Sequence, residues 1–193
     1  MTDYFSTLPP FLKEYIHTSR WTEFRDVQIR AFEVMGGTDS HLLLSSGTSS
    51  GKTEAAMFPV IASLHADPPK GVGALYISPL KALIDDQFGR LALVLRDSYI
   101  NLTSWHGESE TGMKDRLRKD PSGILQITPE SLQGLVYGDA DEARRLFGDL
   151  RFIIIDEVHS FMDSDRGIQL LCCLERMERV TGTCARRIGL SAT

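Results

Sequence analysis

A chain of 193 residues can form one well-packed domain without disulfides or a structural metal, and its 42% apolar and 24% charged residues exclude a disordered chain. No apolar run reaches the roughly 18 residues of a membrane span and the N-terminus lacks a signal-peptide pattern, so we expect a soluble, cytoplasmic protein with no membrane partner. The net charge of −5 argues against a simple basic nucleic-acid binder, but not against binding through backbone N–H groups at helix N-termini.

Short apolar runs alternate with helical patterns along the chain. The runs are continuously apolar, which indicates strands that are buried on both faces of a parallel sheet. In chain order, the predicted strands are residues 41–44, 74–78, 100–104, 124–128, 152–156 and 188–190. This alternation predicts the doubly wound α/β class, with a mostly parallel central sheet and helices on both faces.

Apolar residues at three- and four-residue steps mark helices between these strands. The helix at 80–95 is predicted to face the sheet with Leu80, Leu83, Ile84, Gln87, Phe88, Leu91, Val94 and Leu95. The helix at 166–180 is predicted to face it with Ile168, Leu171, Cys172, Leu174 and Met177. Thr128 and Pro129 are typical of an N-cap and a first helical residue. Three cysteines without CxxC spacing, Cys172, Cys173 and Cys184, indicate reduced structural thiols.

The segment SGTSSGKT at 46–53 lies between the first strand and a helical pattern at 54–64. It matches the phosphate-binding pattern GxxxxGK[ST], except that Ser46 replaces the first glycine. N–H groups at the helix start form an anion nest, Lys52 reaches the β- and γ-phosphates, and the Thr53 hydroxyl binds Mg²⁺. The predicted ATP-binding residues of this loop are Gly47, Thr48, Ser49, Ser50, Gly51, Lys52 and Thr53.

Two adjacent carboxylates follow the apolar run at 152–155. Asp156 is predicted to hold Mg²⁺ largely through water, and Glu157 to orient and deprotonate the attacking water. With Lys52 they are the predicted catalytic residues, and ATP and Mg²⁺ are the predicted ligands. His159 comes next; since a single histidine is more often a packing residue, chemistry alone leaves its role open.

In combination, these segments resemble superfamily 2 helicases. SGTSSGKT is similar to motif I of these helicases, DEVH at 156–159 to motif II, and SAT at 191–193 to motif III. The stretches SPLKAL, TPESL, DEVHSF and RIGLSAT are most similar to the large helicase-related (Lhr-like) family, and the stretch 78–87 also resembles RecQ-type helicases. The loop departs from the family pattern at Ser49, where glycine is usual, and at Gly47, which is shifted forward.

The resemblance covers nearly the whole chain from Trp21 onward and implies a RecA-like P-loop NTPase fold with ATP-dependent helicase or translocase activity. It implies that His159, Ser191 and Thr193 are coupling residues. The segment WTEFRDVQ at 21–28 resembles the Q motif, in which Gln28 would read the adenine edge and an aromatic such as Trp21 or Phe24 would enclose the base.

Further motifs imply a nucleic-acid track. Residues 78–83 resemble motif Ia, residues 128–132 resemble motif Ib, and residues 105–107 fall where the family has a short glycine motif. They imply single-stranded nucleic acid, with DNA favoured, bound by its backbone at the carboxyl edge of the sheet. Hydroxyls of Ser78 and Thr128 and the charge of Lys81 would contact phosphates. The implied contact residues are Ser78, Pro79, Lys81, Gly107, Thr128, Glu130 and Ser131.

The chain ends at Thr193, the last residue of motif III, whereas the family carries a second RecA-like domain with an arginine finger. We therefore expect residues 1–193 to be the ATP-binding domain, with a helical and Q-motif segment at 1–35. We expect it to be nearly inactive without the second RecA-like domain as partner. Arg186 and Arg187 precede the last predicted strand and are poorly placed to act in cis.

Several alternatives stay open at this point. A nucleotide kinase or GTPase shares the P-loop, but the chain has no Asn/Thr-Lys-x-Asp motif for guanine recognition. A binding module without turnover is disfavoured because the acidic and basic site residues are intact. RNA or an RNA–DNA hybrid as substrate, or translocation without strand separation, also fits.

The basic cluster Lys114, Arg116, Arg118 and Lys119 is either a second nucleic-acid patch or, preferred here, a solvated helix face with intrahelical pairs. The acidic run at 139–142 is predicted to lead into a helix N-terminus.

Overall fold

The computed structural model describes residues 4–47 and 50–192, which fold around a six-stranded sheet. The strands are β1 (Leu42–Ser45), β2 (Val72–Ile77), β3 (Leu102–Trp105), β4 (Gly123–Ile127), β5 (Phe152–Ile155) and β6 (Arg186–Ser191). Their order in the sheet is β1-β6-β5-β2-β4-β3, and all five pairings are parallel. The carboxyl ends of the strands therefore lie at one edge, where ligands bind in sheets of this kind.

Helices connect successive strands of the sheet. They are α1 (Tyr4–Thr7), α2 (Pro10–Thr18), α3 (Asp26–Gly37), α4 (Lys52–Ala66), α5 (Lys81–Leu95), α6 (Thr111–Lys119), α7 (Pro129–Tyr137), α8 (Ala140–Phe147) and α9 (Asp165–Thr181), with a 3₁₀ turn at Val158–Phe161. No helix in the described part of the chain is both long and apolar enough to cross a membrane.

Side chains on each central strand alternate between two hydrophobic cores. On β2, Tyr76 packs into the core that α2 to α5 cover, whereas Leu75 and Ile77 pack into the core that α7 to α9 cover. Every residue of β2 is buried, which explains why the sequence is continuously apolar there. The predicted doubly wound α/β architecture is confirmed, and the sheet is parallel throughout its described pairings.

Two predicted helix faces need correction. Leu80 does not face the sheet: it is the N-cap of α5 and is 59% exposed, because the helix begins one residue later. On α9, Ile168 and Leu171 are 62% and 55% exposed, and Cys172 is exposed as well. The face of α9 that is buried comprises Gly167, Leu170, Cys173, Leu174 and Met177.

Gly167 explains the orientation of α9. A Cβ atom at this position would lie 1.8 Å from the carbonyl oxygen of Phe161, so only glycine allows the start of the helix to pack on the 3₁₀ turn. Because residues at steps of three and seven share a helix face, Leu170 and Leu174 follow Gly167 into the core.

Candidate functional site

The loop after β1 closes around its own lysine. The Lys52 ammonium group, on the first residue of α4, donates to the carbonyl oxygens of Ser46 and Gly47, the latter at 2.8 Å. The hydroxyls of Ser46 and Ser50 lie 2.6 Å apart, so the serine that replaces the first glycine of the pattern links the two sides of the loop. Two predicted ATP-binding residues, Thr48 and Ser49, lie outside the described residues.

Gly51 is the residue at which the loop becomes α4. Its φ of +82° lies in the left-handed region, and a Cβ atom there would lie 2.7 Å from Nε2 of Gln28. Gln28 is 2% exposed: its Nε2 donates to the Gly51 carbonyl at 3.5 Å, and its Oε1 accepts from the Arg25 N–H at 3.0 Å. The predicted adenine reader thus packs directly on the predicted phosphate loop.

Asp156, the first carboxylate after β5, is held through both of its oxygens. Its Oδ2 accepts from the Tyr76 hydroxyl at 2.7 Å, and its Oδ1 accepts from the Glu157 backbone N–H at 2.9 Å. Burial raises the pKa of Asp156, while the hydrogen bonds from Tyr76 and Glu157 favour the carboxylate and oppose that rise. The orientation of this carboxylate is therefore set by the protein.

Tyr76 is a site residue that the sequence analysis missed. It lies on β2 between β4 and β5 and is fully buried. Burial, followed by the charge of Asp156, raises the pKa of Tyr76 well above its usual value, so the phenol is a neutral hydrogen-bond donor at neutral pH. In the sequence it is one aromatic in an apolar run, which predicts only a core position.

Glu157, the second carboxylate, has a left-handed backbone with φ of +47°. Such a conformation costs a non-glycine residue roughly 1–3 kcal/mol and occurs preferentially at functional sites. Its Oε2 lies 3.4 Å from Nε2 of His159, and Nδ1 of His159 lies 3.1 Å from Oγ of Ser191 at the end of β6. The structure thus brings two predicted coupling residues together, and the third, Thr193, lies outside the described residues.

A cavity of about 620 Å³ collects these groups at the carboxyl edge. Its lining includes Trp21, Gln28, Ser50, Gly51, Lys52, Thr53, Asp156 and Glu157. Thr53 and Asp156 offer hard oxygen donors, and Mg²⁺ is usually held by one or two carboxylates together with substrate phosphates and water. Among the described residues, no group of three or more His, Cys, Asp and Glu side chains could hold a metal ion. The donor set therefore fits Mg²⁺ bound together with phosphates.

The two aromatic residues predicted to enclose a base separate in the structure. Trp21 lines the cavity and stacks on Phe58, with ring centroids 5.6 Å apart. Phe24 packs edge-on against Phe32 at 5.9 Å, in the core formed by the N-terminal helices, and does not line this cavity. Of the two alternatives, the geometry therefore favours Trp21.

The residues predicted to contact nucleic acid meet at the ends of β2, β3 and β4. Lys81, on the first turn of α5, forms an ion pair with Glu108, which follows Gly107. Both Gly107 and Glu130 are exposed at this edge. The motifs that lie far apart in the sequence therefore share one surface.

Three of the predicted contact residues are nevertheless buried. Ser78 is 0% exposed, Pro79 is buried, and Thr128 is 9% exposed. The Thr128 hydroxyl donates to Oγ of Ser131 at 3.1 Å and accepts from the Ser131 N–H at 3.4 Å, as expected of the N-cap of α7. In this arrangement Ser78 and Thr128 are covered, because residues at the strand ends lie beneath the following helices. That their hydroxyls donate to phosphates stays a prediction.

Arg166 joins the predicted motifs Ia and Ib. Its guanidinium group binds both carboxylate oxygens of Glu130, at 2.6 and 3.1 Å, and donates to the Pro79 carbonyl at 2.7 Å. A two-pronged bond of this kind fixes orientation as well as distance. Through Arg166, Glu130 and Pro79 are therefore held in fixed positions relative to each other. The spacing of the motifs in the sequence did not indicate that these two residues share Arg166 as a partner.

The basic cluster on α6 makes mostly tertiary contacts. Arg118 forms the predicted intrahelical pair with Asp115 at 3.7 Å, but its shorter bond, 2.7 Å, is to Glu142 on α8. Its guanidinium group also lies 4.9 Å from the ring centroid of Trp105. The preference for intrahelical pairs was thus only partly right. The acidic run behaves as predicted, since Asp139 caps the N-terminus of α8.

Residues 25–193 match the family model described as DEAD/DEAH box helicase. The ATP-dependent helicase Lhr-Core of Methanothermobacter thermautotrophicus is 34% identical, over 97% of this chain and 23% of that protein. The Lhr helicase/uracil glycosylase of Escherichia coli is 35% identical, over 79% of this chain and 11% of that protein. The chain thus spans less than a quarter of the length of these relatives.

A solved structure gives the same result for the fold. The Mycobacterium smegmatis helicase Lhr bound to ssDNA and AMP-PNP superposes with a TM-score of 0.85 and 29% identity, over 100% of this chain and 26% of that chain. The predicted RecA-like fold and the predicted resemblance to Lhr helicases are therefore confirmed.

Proposed function

The chain belongs to the DEAD/DEAH box helicase family, and from this premise we propose that it is the ATP-binding motor domain of a helicase or translocase that acts on single-stranded DNA. The observation that supports this best is the cavity at the carboxyl edge. It brings together Lys52 and Thr53, at the start of α4, and the two carboxylates that follow β5, although β1 and β5 are not neighbours in the sheet. A binding module without turnover would have no need of this full set.

Each residue has a role in hydrolysis that its surroundings support. Lys52 would exchange the carbonyls of Ser46 and Gly47 for phosphate oxygens, which are stronger acceptors because they are charged. Glu157, held beside Asp156, would orient the attacking water and accept its proton. Mg²⁺, held by Thr53 and Asp156 partly through water, would neutralise charge that develops on the phosphates.

The base specificity of the site would come from Gln28 and Trp21. Gln28 keeps one amide hydrogen beyond the bond to Gly51, and the side chain lines the cavity. Trp21 supplies an aromatic surface. This arrangement favours adenine nucleotides over the guanine specificity of a GTPase.

Hydrolysis would also require an arginine from a second RecA-like domain. Arg186 and Arg187 lie at the start of β6, at the opposite edge of the sheet from the cavity. Arg187 forms an ion pair with Glu178 at 2.9 Å. Arg186 donates to the backbone carbonyls of Val34, Met35 and Ser40. Neither can reach the phosphates. An arginine finger is worth about 10³–10⁵ in rate in P-loop NTPases.

The nucleic-acid track would use backbone donors more than hydroxyls. The N-termini of α5 and α7 both lie at the carboxyl edge, with Lys81 and Gly107 exposed beside them. Helix N-termini attract phosphates without net positive charge, which agrees with a chain of charge −5. The ssDNA in the complex of the M. smegmatis Lhr helicase favours DNA as the substrate.

The test is the ATPase rate of this domain joined to a second RecA-like domain, measured alone and with single-stranded DNA, single-stranded RNA or an RNA–DNA hybrid. We expect DNA to stimulate hydrolysis most. Stimulation by RNA alone would overturn the assignment of substrate, and no stimulation by any of the three would overturn the motor proposal.

The same assay tests the role of Glu157. Glu157→Gln should lower the rate about 10²–10⁴-fold and leave nucleotide affinity nearly unchanged, since the amide cannot accept the proton. Glu14→Gln, an exposed position on α2, serves as the matched control. A wild-type rate in Glu157→Gln would contradict its role as general base.

A further inference from the structure

One buried phenol holds a predicted Mg²⁺ ligand. Tyr76 extends from the middle strand β2, and its hydroxyl donates to Oδ2 of Asp156 at 2.7 Å. Asp156 follows the end of β5, and the two residues are 80 residues apart in the chain. The pairing of β2 with β5 brings the hydroxyl to the carboxylate.

The hydrogen-bonding capacity of the two groups fixes the direction of the bond. An ionised carboxylate only accepts, so the single hydrogen of the phenol goes to Asp156. Oδ1 of Asp156 is fixed independently by the Glu157 N–H at 2.9 Å. Both oxygens of this predicted ligand are therefore held by the protein.

Packing alone does not explain the hydroxyl. Tyr76 is 0% exposed and lies among Ala74, Ile124 and Ile154 in an apolar core, where phenylalanine would fill the same space. A buried hydroxyl costs free energy unless it is hydrogen-bonded, and the partner of this one, Asp156, is a predicted site residue.

We propose that Tyr76 is a positioning residue that sets the geometry of Asp156 toward the nucleotide-bound Mg²⁺. This inference rests on the proposed function, because it requires that the cavity binds Mg²⁺–nucleotide. Groups that orient metal ligands typically contribute tenfold or more to metal affinity. Tyr76 does not line the cavity, so it would act through Asp156.

The test is nucleotide binding by the 193-residue chain, with ADP as the probe, in the presence of Mg²⁺ and in EDTA. In Tyr76→Phe we expect the gain in affinity that Mg²⁺ provides to fall roughly tenfold, with the affinity in EDTA unchanged. The EDTA value reports whether the cavity is still folded. Tyr99→Phe, which changes a 98% exposed tyrosine in the same way, should match the wild type in both conditions.

A double-mutant cycle with Asp156→Asn separates positioning from a general structural effect. If Tyr76 acts through the carboxylate, Tyr76→Phe should change the Mg²⁺ dependence less than twofold in the Asp156→Asn background. An undiminished tenfold loss in that background, or an unchanged Mg²⁺ dependence in the single variant, would overturn the inference alone. Failure of the wild-type chain to bind ADP would overturn the proposed function first, and the inference with it.

Discussion

Gln28 has two roles at the scale of single residues, and they can be separated. It lines the cavity, and it also supports the phosphate loop through its contact with Gly51. We predict that Gln28→Ala will let GTP compete with ATP more equally, because the amide that would read adenine is lost. It should also lower the free energy of unfolding by about 1 kcal/mol, because the Arg25 N–H loses its acceptor.

Competition binding and thermal unfolding check these two effects. Gln133→Ala, at an exposed position on α7, is the matched control and should change neither. An unchanged preference for ATP over GTP in Gln28→Ala would remove Gln28 from the adenine site, even if stability falls.

The individual chemical groups were predictable where a motif carries them. Lys52, Thr53, Asp156 and Glu157 stand at fixed spacings after apolar strands, and the structure brings them together. Tyr76 carries no such signal, because its partner lies 80 residues away and only strand pairing brings β2 beside β5. The burial of Ser78 was also unpredictable, since it depends on how α5 lies over the strand end.

Helix α9 shows what periodicity can and cannot establish at the scale of elements. Apolar residues occupy two faces of this helix. Steps of three and four residues therefore fit two alternative buried faces, one with Leu171 and Cys172 and the other with Leu170 and Cys173. Only the close packing of Gly167 on Phe161 selects the second face. The available signal was a glycine at the start of a predicted helix.

Thiol reactivity tests the orientation of α9. Cys172 and Cys184 are exposed, whereas Cys173 is 1% exposed and its burial raises the pKa to about 11. In the native chain at pH 8 we predict rapid reaction of two thiols with a disulfide reagent, and reaction of the third only after unfolding. Cys172→Ser should remove one rapid equivalent and Cys173→Ser none. Protection of Cys172 would contradict the orientation of α9 described above.

A second element-scale prediction concerns the segment that leads into β5. Arg151 binds both carboxylate oxygens of Asp149 at 3.1 Å and also bonds to Asp67, while the Lys70 N–H donates to Asp149 at 2.9 Å. The Arg151 guanidinium group holds the pKa of Asp149 below its ordinary value. The stabilisation is therefore present above the unfolded-state pKa of about 3.9 and is lost as the pH falls through the folded-state pKa.

We accordingly predict that Asp149→Asn lowers the free energy of unfolding by about 1 kcal/mol at pH 7, and by progressively less below about pH 4. Urea unfolding across this pH range measures the difference. Asp97→Asn, at an exposed position, is the control. A cost for Asp149→Asn that stays constant down to pH 2 would show that the ionised carboxylate is not its source.

At the scale of the whole molecule, the parallel sheet is what makes distant motifs into one site. The alternation of strands and helices predicts that the carboxyl ends share an edge, and the structure agrees. The order β1-β6-β5 was not predictable, because nothing local to these strands specifies their neighbours. That order places Ser191, at the end of β6, between the phosphate loop and the carboxylates, and hence beside His159.

The central claim is that this chain binds ATP through the phosphate loop, and equilibrium binding of ATP to residues 1–193 tests it most directly. We predict weak, saturable, Mg²⁺-dependent binding with negligible hydrolysis, because the proposed mechanism takes an arginine from a second RecA-like domain. Lys52→Ala should weaken binding at least about tenfold, since it removes a charged hydrogen bond to phosphate. Lys119→Ala, at an exposed lysine of α6, should bind as the wild type does. Equal affinity in Lys52→Ala and the wild type, or no saturable binding at all, would contradict the account.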